Sequence, residues 1–315
     1  MSTATSSPST TRFLIISDTH NFQFGDAEPY NAPLTYPSPP CDVLLHCGDL
    51  TSIGGAPAYK KCISMLSSIT AELKLVIAGN HDLDLDPDFL KNVPWSHGLC
   101  QDPKGRHEKA REPWRSEETR GKGIVYLEEG MHSFTLKSGA RFSIYASPYQ
   151  PEFCGWAFPY KRNEDRFNIP GKSKPGVKNI ADNPIPDFPG VDIVMTHGPP
   201  HNILDTTTSG PVGCESLLRA VSRARPKLCC FGHIHEGYGM QVVKWKSDKS
   251  LIGEDAIEKM EQRENAYPAV EKEERIGEGF GEETVMVNAA IMDVRYRPVN
   301  APWVVDLVLK MRDGI

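Results

Sequence analysis

The chain has 315 residues, of which 39% are hydrophobic and 24% charged, and its formal net charge is −6. That length suits one large soluble domain with a substantial core, and the acidic balance offers no global field to draw in nucleic acid or an anionic membrane. No window is long and apolar enough to span a bilayer, and the polar opening MSTATSSPSTTR has the pattern of neither a signal peptide nor an anchor.

Residues 1–11 form a Ser/Thr-rich stretch expected to be a disordered tail. Apolar runs then predict strands over 13–17, 43–47 and 74–78, with a Pro-rich loop at 29–40. Between the last two, Tyr59, Cys62, Ile63, Leu66, Ile69 and Leu73 recur at helical spacing and predict a helix over 58–73. Residues 91–122 are dense in charge and read as a surface excursion. Strands of a meander are expected at 124–127, 133–136 and 142–146, with turn signals at Gly130 and Ser138-Gly139. A second excursion, 150–189, is rich in proline and aromatics. Next come a strand over 191–195, a helix near 214–224 and a strand over 227–231. A charged third excursion, 247–283, carries a short helix expected at 254–264, and strands over 284–288 and 303–309 close the chain. With no internal repeat, residues 12–315 read as a single domain with three decorations. Eight cysteines show no CxxC pair, and Cys47, Cys229 and Cys230 lie in apolar runs where a thiol acts as a small hydrophobe. A reducing, cytoplasmic setting is the expectation.

Five short groups follow those apolar runs directly: Asp18-Thr19-His20, Gly48-Asp49, Gly79-Asn80-His81-Asp82, Thr196-His197-Gly198 and Gly232-His233-Ile234-His235. Each therefore falls where a strand ends, which is where open α/β sheets bind ligands. If the chain continues extended, positions two apart face one side, so Asp18 with His20, and His233 with His235, can grip ions. A carboxylate at Asp49 has two oxygens with which to bridge two cations, and Asn80 is a neutral oxygen donor. His81 is placed to reach a leaving group, with Asp82 beside it to orient the imidazole. Taken singly, each group has an ordinary reading as a cap, a turn or a polar loop. Taken together, they point to one metal site, and two cations close together suit phosphoryl transfer. His46 reads as a satisfied core histidine, His201 as solvent-facing, and Asn288 as either a supporting residue or a plain turn residue.

In this order the five groups resemble the calcineurin-like metallophosphoesterase superfamily, with its D-x-H, G-D, G-N-H-[DE], H-G and G-H-x-H signatures. More closely, SDTH, HCGDLT, THGPP and FGHIHEGYG resemble the metallophosphoesterase-domain branch of class III phosphodiesterases. The resemblance implies an α/β fold, a four-layer α/β/β/α sandwich with two central mixed sheets. It implies that Asp18, His20 and His235 hold one metal, that Asn80, His197 and His233 hold the other, and that Asp49 bridges them. It also implies that His81, oriented by Asp82, assists the leaving group while a metal-bound hydroxide attacks phosphorus. Mixed N/O ligation suits two divalent ions, Mn²⁺ first, with Fe or Zn²⁺ as alternatives. Leu50-Thr51-Ser52 stands where protein phosphatases of the superfamily carry an arginine-containing segment, which disfavours a phosphoprotein substrate. The expected function is hydrolysis of a small phosphate ester, with a diester, a cyclic nucleotide among the candidates, favoured over a monoester. The alternatives are a non-catalytic scaffold and a nuclease. Against the nuclease, the basic residues between Lys104 and Arg120 interleave with Glu108, Glu112, Glu117 and Glu118. No membrane partner is expected.

Overall fold

A computed structural model describes residues 9–26, 31–35, 38–92, 102–265, 267, 275–276 and 279–311. Its central strands are buried, and alternate side chains along them feed two different cores. In β1 (Ser9–Ile16) Phe13 and Ile15 enter one core while Leu14 and Ile16 enter another. β2 (Val43–His46), β3 (Leu73–Val76) and β4 (Ile124–Tyr126) follow it, each parallel to the one before. β5 (Gly130–Thr135) and β6 (Ala140–Ser147) form an antiparallel pair. To β6 are added β7 (Ile193–Thr196) and then β8 (Leu228–Phe231), both parallel. β9 (Gly239–Trp245), β10 (Ile257–Arg263), β11 (Arg275–Ile276), β12 (Glu283–Asn288) and β13 (Trp303–Met311) complete the set.

The hydrogen-bonded order is β10-β9-β12-β8-β7-β6-β13-β1-β2-β3-β4, with β5 on β6 and β11 on β13. The two halves of this path join where Lys310 and Met311 meet Arg141 and Ala140, and they pack face to face. Phe13, Ile15, Val43 and Leu45 from one half meet Ile144, Met195, Cys230 and Val287 from the other. α1 (Ala56–Ser68) and α2 (Pro103–Arg115) cover Leu14, Ile16, Leu44 and Val76 on one outer face. α3 (Glu215–Ala224) covers Tyr145, Val194, Cys229 and Phe231 on the other. This is the expected four-layer sandwich, with its two sheets hydrogen-bonded at one corner.

Several local expectations change. β1 starts at Ser9, inside the segment expected to be a tail, because its backbone pairs with β13 through Leu309; residues 1–8 of that segment lie outside the described residues. Residues 93–101 also lie outside, but the rest of 91–122 is not a surface excursion. Ala110 and Trp114, one turn apart on α2, are buried, and Trp114 meets Tyr59 of α1 edge-on at 6.0 Å. The surrounding charges had masked that stripe. The expected meander divides, since β4 joins β3 in the first half and only β5 and β6 form a hairpin. Residues 257–263 form an edge strand against β9 rather than a helix, because ladder bonding to a neighbour outweighs local propensity. Among the described residues, no helix is long and apolar enough to cross a membrane.

Candidate metal centre

The ligand candidates stand at the carboxyl ends of five parallel-running strands: Asp18 and His20 after β1, Asp49 after β2, Asn80 and His81 after β3, His197 after β7, and His233 and His235 after β8. The way the chain turns there differs from expectation. Asp18, His20, Asp49 and His233 adopt left-handed backbone, with φ of 54°, 40°, 52° and 68°. Convergence therefore comes from tight turns and not from continued strand alternation. Such strain in non-glycine residues persists only where the surroundings over-determine it. Here Asp18 N–H donates to Gly48 O at 2.9 Å and His20 N–H to Asp49 O at 3.0 Å. The adjoining loops press close enough that a Cβ on Gly79 would meet Asp49 N at 2.3 Å, and one on Gly232 would meet Asp18 Oδ2 at 2.0 Å. Glycine is required at both places for that reason.

The side chains form two adjoining sets. In one, His235 Nε2 lies 3.4 Å from Asp18 Oδ1 and 3.4 Å from His20 Nε2, and His20 Nε2 lies 3.6 Å from Asp49 Oδ2. In the other, His197 Nε2 lies 3.4 Å from Asp49 Oδ1 and 2.8 Å from Asn80 Oδ1, and the His233 ring centroid is 5.0 Å from that of His197. Asp49 is the carboxylate common to both. Asp18-His20-His235, His20-Asp49-His81 and Asp18-Asp49-His197 each bring their ligand atoms within 4.8 Å of one another.

The donor set fits cations. His197 Nδ1 is 2.9 Å from Cys47 O while its Nε2 faces Asn80 Oδ1, so both neighbours are acceptors. A neutral imidazole has only one N–H to offer, and burial lowers the pKa of this ring, so the doubly protonated form is disfavoured. With Nδ1–H given to Cys47 O, His197 Nε2 and Asn80 Oδ1 are two acceptors that a bound cation would satisfy. His235 repeats the arrangement, its Nδ1–H donating to Asp293 O at 2.9 Å and leaving Nε2 for the site. Backbone carbonyls thus select the tautomer each candidate ligand would need.

Electrostatics agree. Burial pushes the Asp49 carboxyl well above its usual range, and the neighbouring Asp18 and Asp82 carboxylates add to the shift. Burial also opposes charge on Asp18, but His235, His197 and His20 outweigh it and hold that carboxyl well below the usual range. His20 and His233 are pushed down to about 3, chiefly by burial. Neutral imidazoles beside crowded carboxylates are what a divalent ion binds.

The role expected of Asp82 needs correction. Its buried carboxylate accepts from Leu50 N–H, Thr51 N–H, Thr51 Oγ1–H and Gly79 N–H at 2.8–3.0 Å, so it ties the Asp49 loop to the Asn80 loop. It does not orient His81. That ring is held by its Nδ1–H donating to Ser52 O at 2.8 Å and by stacking on Trp156 at 4.0 Å and 26°. Sequence alone missed Tyr296, whose ring lies 4.8 Å from His20 and 5.5 Å from His235, and it left the roles of Trp156 and Phe153 unassigned. Only the fold brings these rings to the site. His46 is a satisfied buried histidine between Thr19 Oγ1 and Gly48 N–H. Asn288 Nδ2 donates to Ile234 O at 2.8 Å, steadying the loop between His233 and His235. His201 lies apart from the centre, beside Asp205 and Glu254.

Residues 11–237 match the family model for calcineurin-like phosphoesterases. Metallophosphoesterase domain-containing protein 1 of Homo sapiens, like that of Mus musculus, is 32% identical over 310 residues, covering 95% of this chain and 72% of the relative. A stretch within a protein named probable rhamnogalacturonate lyase C of Emericella nidulans is 33% identical over 239 residues, 74% of this chain and 18% of that one. Among solved structures, a phosphopantetheinyl hydrolase from Mycobacterium tuberculosis superposes with a TM-score of 0.40 at 15% identity, over 75% of this chain and 85% of that one. The chain therefore belongs to the calcineurin-like phosphoesterase family, hydrolases acting on phosphate esters.

Proposed function

We propose that this chain is a phosphodiesterase of small substrates, working with two divalent cations, Mn²⁺ in the first place. The observation that carries the reading is the convergence of Asp18, His20, Asp49, Asn80, His197, His233 and His235, with the His197 and His235 tautomers set by backbone carbonyls. Asp18, His20 and His235 would hold one ion, Asn80, His197 and His233 the other, and Asp49 both. Bound cations supply a nucleophile from water at neutral pH and neutralise charge on the phosphate. His81 gives its Nδ1–H to Ser52 O, so Nε2 is left to face the ester, where once protonated it donates to the departing oxygen. Trp156 keeps that ring from swinging away.

A small substrate is favoured because several cations of α2 and its neighbourhood are already paired, Arg106 with Asp84, Arg111 with Glu128, Arg115 with Glu108 and Lys122 with Glu118. They do not line a track for a nucleic-acid backbone. An intact ligand set argues against a scaffold. The described cysteines are free thiols, in keeping with the cytoplasm. Elemental analysis should find about two metal ions per chain, and EDTA should abolish hydrolysis of bis-p-nitrophenyl phosphate until Mn²⁺ is restored. Metal-free protein whose activity ignores EDTA refutes the reading.

A further inference from the structure

The two rings whose tautomers are set by backbone carbonyls are steadied differently. His197 leans on Cys47 O, and Cys47 is a fully buried residue directly after β2. His235 leans on Asp293 O, which belongs to a turn at the surface between β12 and β13. One residue ties that turn together. Asp293 N–H donates to Arg297 O at 2.9 Å, and Tyr296 N–H shares Asp293 O at 2.9 Å. The Asp293 carboxylate accepts Arg295 N–H at 2.8 Å and Arg297 N–H at 3.0 Å on Oδ1. On Oδ2 it accepts Arg297 Nε–H at 2.7 Å and also Arg297 Nη2–H. Tyr296, inside the turn, is held at a φ of 57°, a strained conformation for a bulky residue.

We propose, on the reading that this site binds two divalent cations, that Arg297 is a positioning residue for one of them. By gripping the Asp293 carboxylate it fixes the Asp293 carbonyl, aims His235, and so sets the affinity of the Asp18, His20 and His235 ion alone. The guanidinium fork on one carboxylate gives direction as well as attraction. Without it, the strain at Tyr296 favours relaxation of the turn, and the carbonyl moves with the turn. The partner on the far nitrogen of a metal-binding histidine fixes ring orientation, so a moved carbonyl weakens the grip of Nε2. His197, in the other set, leans on Cys47 and does not feel the change. A purely structural role explains less. The Arg297 side chain is 45% exposed, and an ion pair so open to water contributes little to the stability of the fold. For the same reason the chain should fold without it.

The test titrates Mn²⁺ into the full chain after EDTA stripping, with calorimetry for the two Kd values and electron paramagnetic resonance to separate paired from isolated ions. Arg297→Ala should raise one Kd by about 10-fold, the low end of the range for disturbing the outer partner of a ligating histidine, because the carbonyl itself remains. The other Kd should stay as in wild type, and the ion weakened should be the one that His235→Ala weakens. Over the interval of Mn²⁺ between the two Kd values, the signal of a coupled pair should give way to that of a single ion. Asp293→Asn keeps Oδ1 for the two backbone N–H groups and removes the charge that Arg297 grips, so it should show the same selective loss. Arg295→Ala removes an exposed charge from the same turn without touching the grip, and should change neither Kd. If Arg297→Ala leaves both Kd values unchanged, weakens both alike, or is matched by Arg295→Ala, the positioning role is overturned while the two-cation reading stands. Wild type that binds no Mn²⁺ overturns that reading and the positioning role with it.

Discussion

Replacing Asp49 with Asn separates what the metal centre needs from what the fold tolerates. Asp49 is buried beside Asp18 and Asp82, and all three factors named above raise its carboxyl pKa. In the metal-free chain its charge is therefore a cost to folding. Asparagine keeps Oδ1 as acceptor for His81 N–H, now at 2.8 Å, and its Nδ2 can donate toward His20 Nε2, which lies 3.6 Å from Asp49 Oδ2. An uncompensated buried charge costs about 3–5 kcal/mol. Because Asp49 retains this one backbone donor, relief of about 1–3 kcal/mol is a fair expectation. In a chain of this size each kcal/mol moves Tm by about 2 °C, so metal-free Asp49→Asn should melt roughly 2–6 °C above metal-free wild type. Added Mn²⁺ should reverse the order. Ligand at a hundred times Kd adds about 2.7 kcal/mol to wild type, and the variant, lacking the shared negative charge, should gain little. Calorimetry or dye-monitored melting in EDTA and across an Mn²⁺ titration measures both effects. An Asn variant that is less stable than wild type in EDTA, or that keeps the full metal-induced rise, refutes the placing of Asp49 between two cations.

Two further outcomes follow from the same geometry. His81→Ala should lower kcat by about 10²–10⁴-fold with both metals retained, most clearly on a substrate with a poor leaving group, whereas His197→Ala should lower metal occupancy; metal stoichiometry and turnover on both variants decide the assignment. The metal-free chain should lose stability as pH falls from about 6.5 toward 3, because His20, His46 and His233 are held near 3 by burial while their unfolded values are 6.5. The unfolded chain binds those protons first, so stability is complete above 6.5 and drains below it; His46→Gln should flatten the slope by about one proton, or about 1.4 kcal/mol per pH unit, in urea melts across that range.

The candidate ligands and their order were legible in the chain itself, because strands buried on both faces read as apolar runs and each run is followed directly by Asp, Asn or His. The helices at 56–68 and 215–224 were legible because one apolar stripe repeats at helical spacing, but the expected span 58–73 overruns α1: Ile69 caps it and Leu73 already belongs to β3. Those patterns are local, and local spacing cannot say how a loop turns. The left-handed residues Asp18, His20, Asp49 and His233 are forced by bonds such as Asp18 N–H to Gly48 O, between strands about 30 residues apart. The same holds for Asp82, which sits beside His81 in sequence yet spends its carboxylate on Leu50, Thr51 and Gly79. The edge strand at 257–263 has no ladder of its own until β9 lies beside it. Tyr296, Trp156 and Phe153 carried no signal because aromatic residues most often fill cores. Only the tertiary structure, by folding two loops distant in sequence over one sheet edge, turns them toward the candidate metal centre.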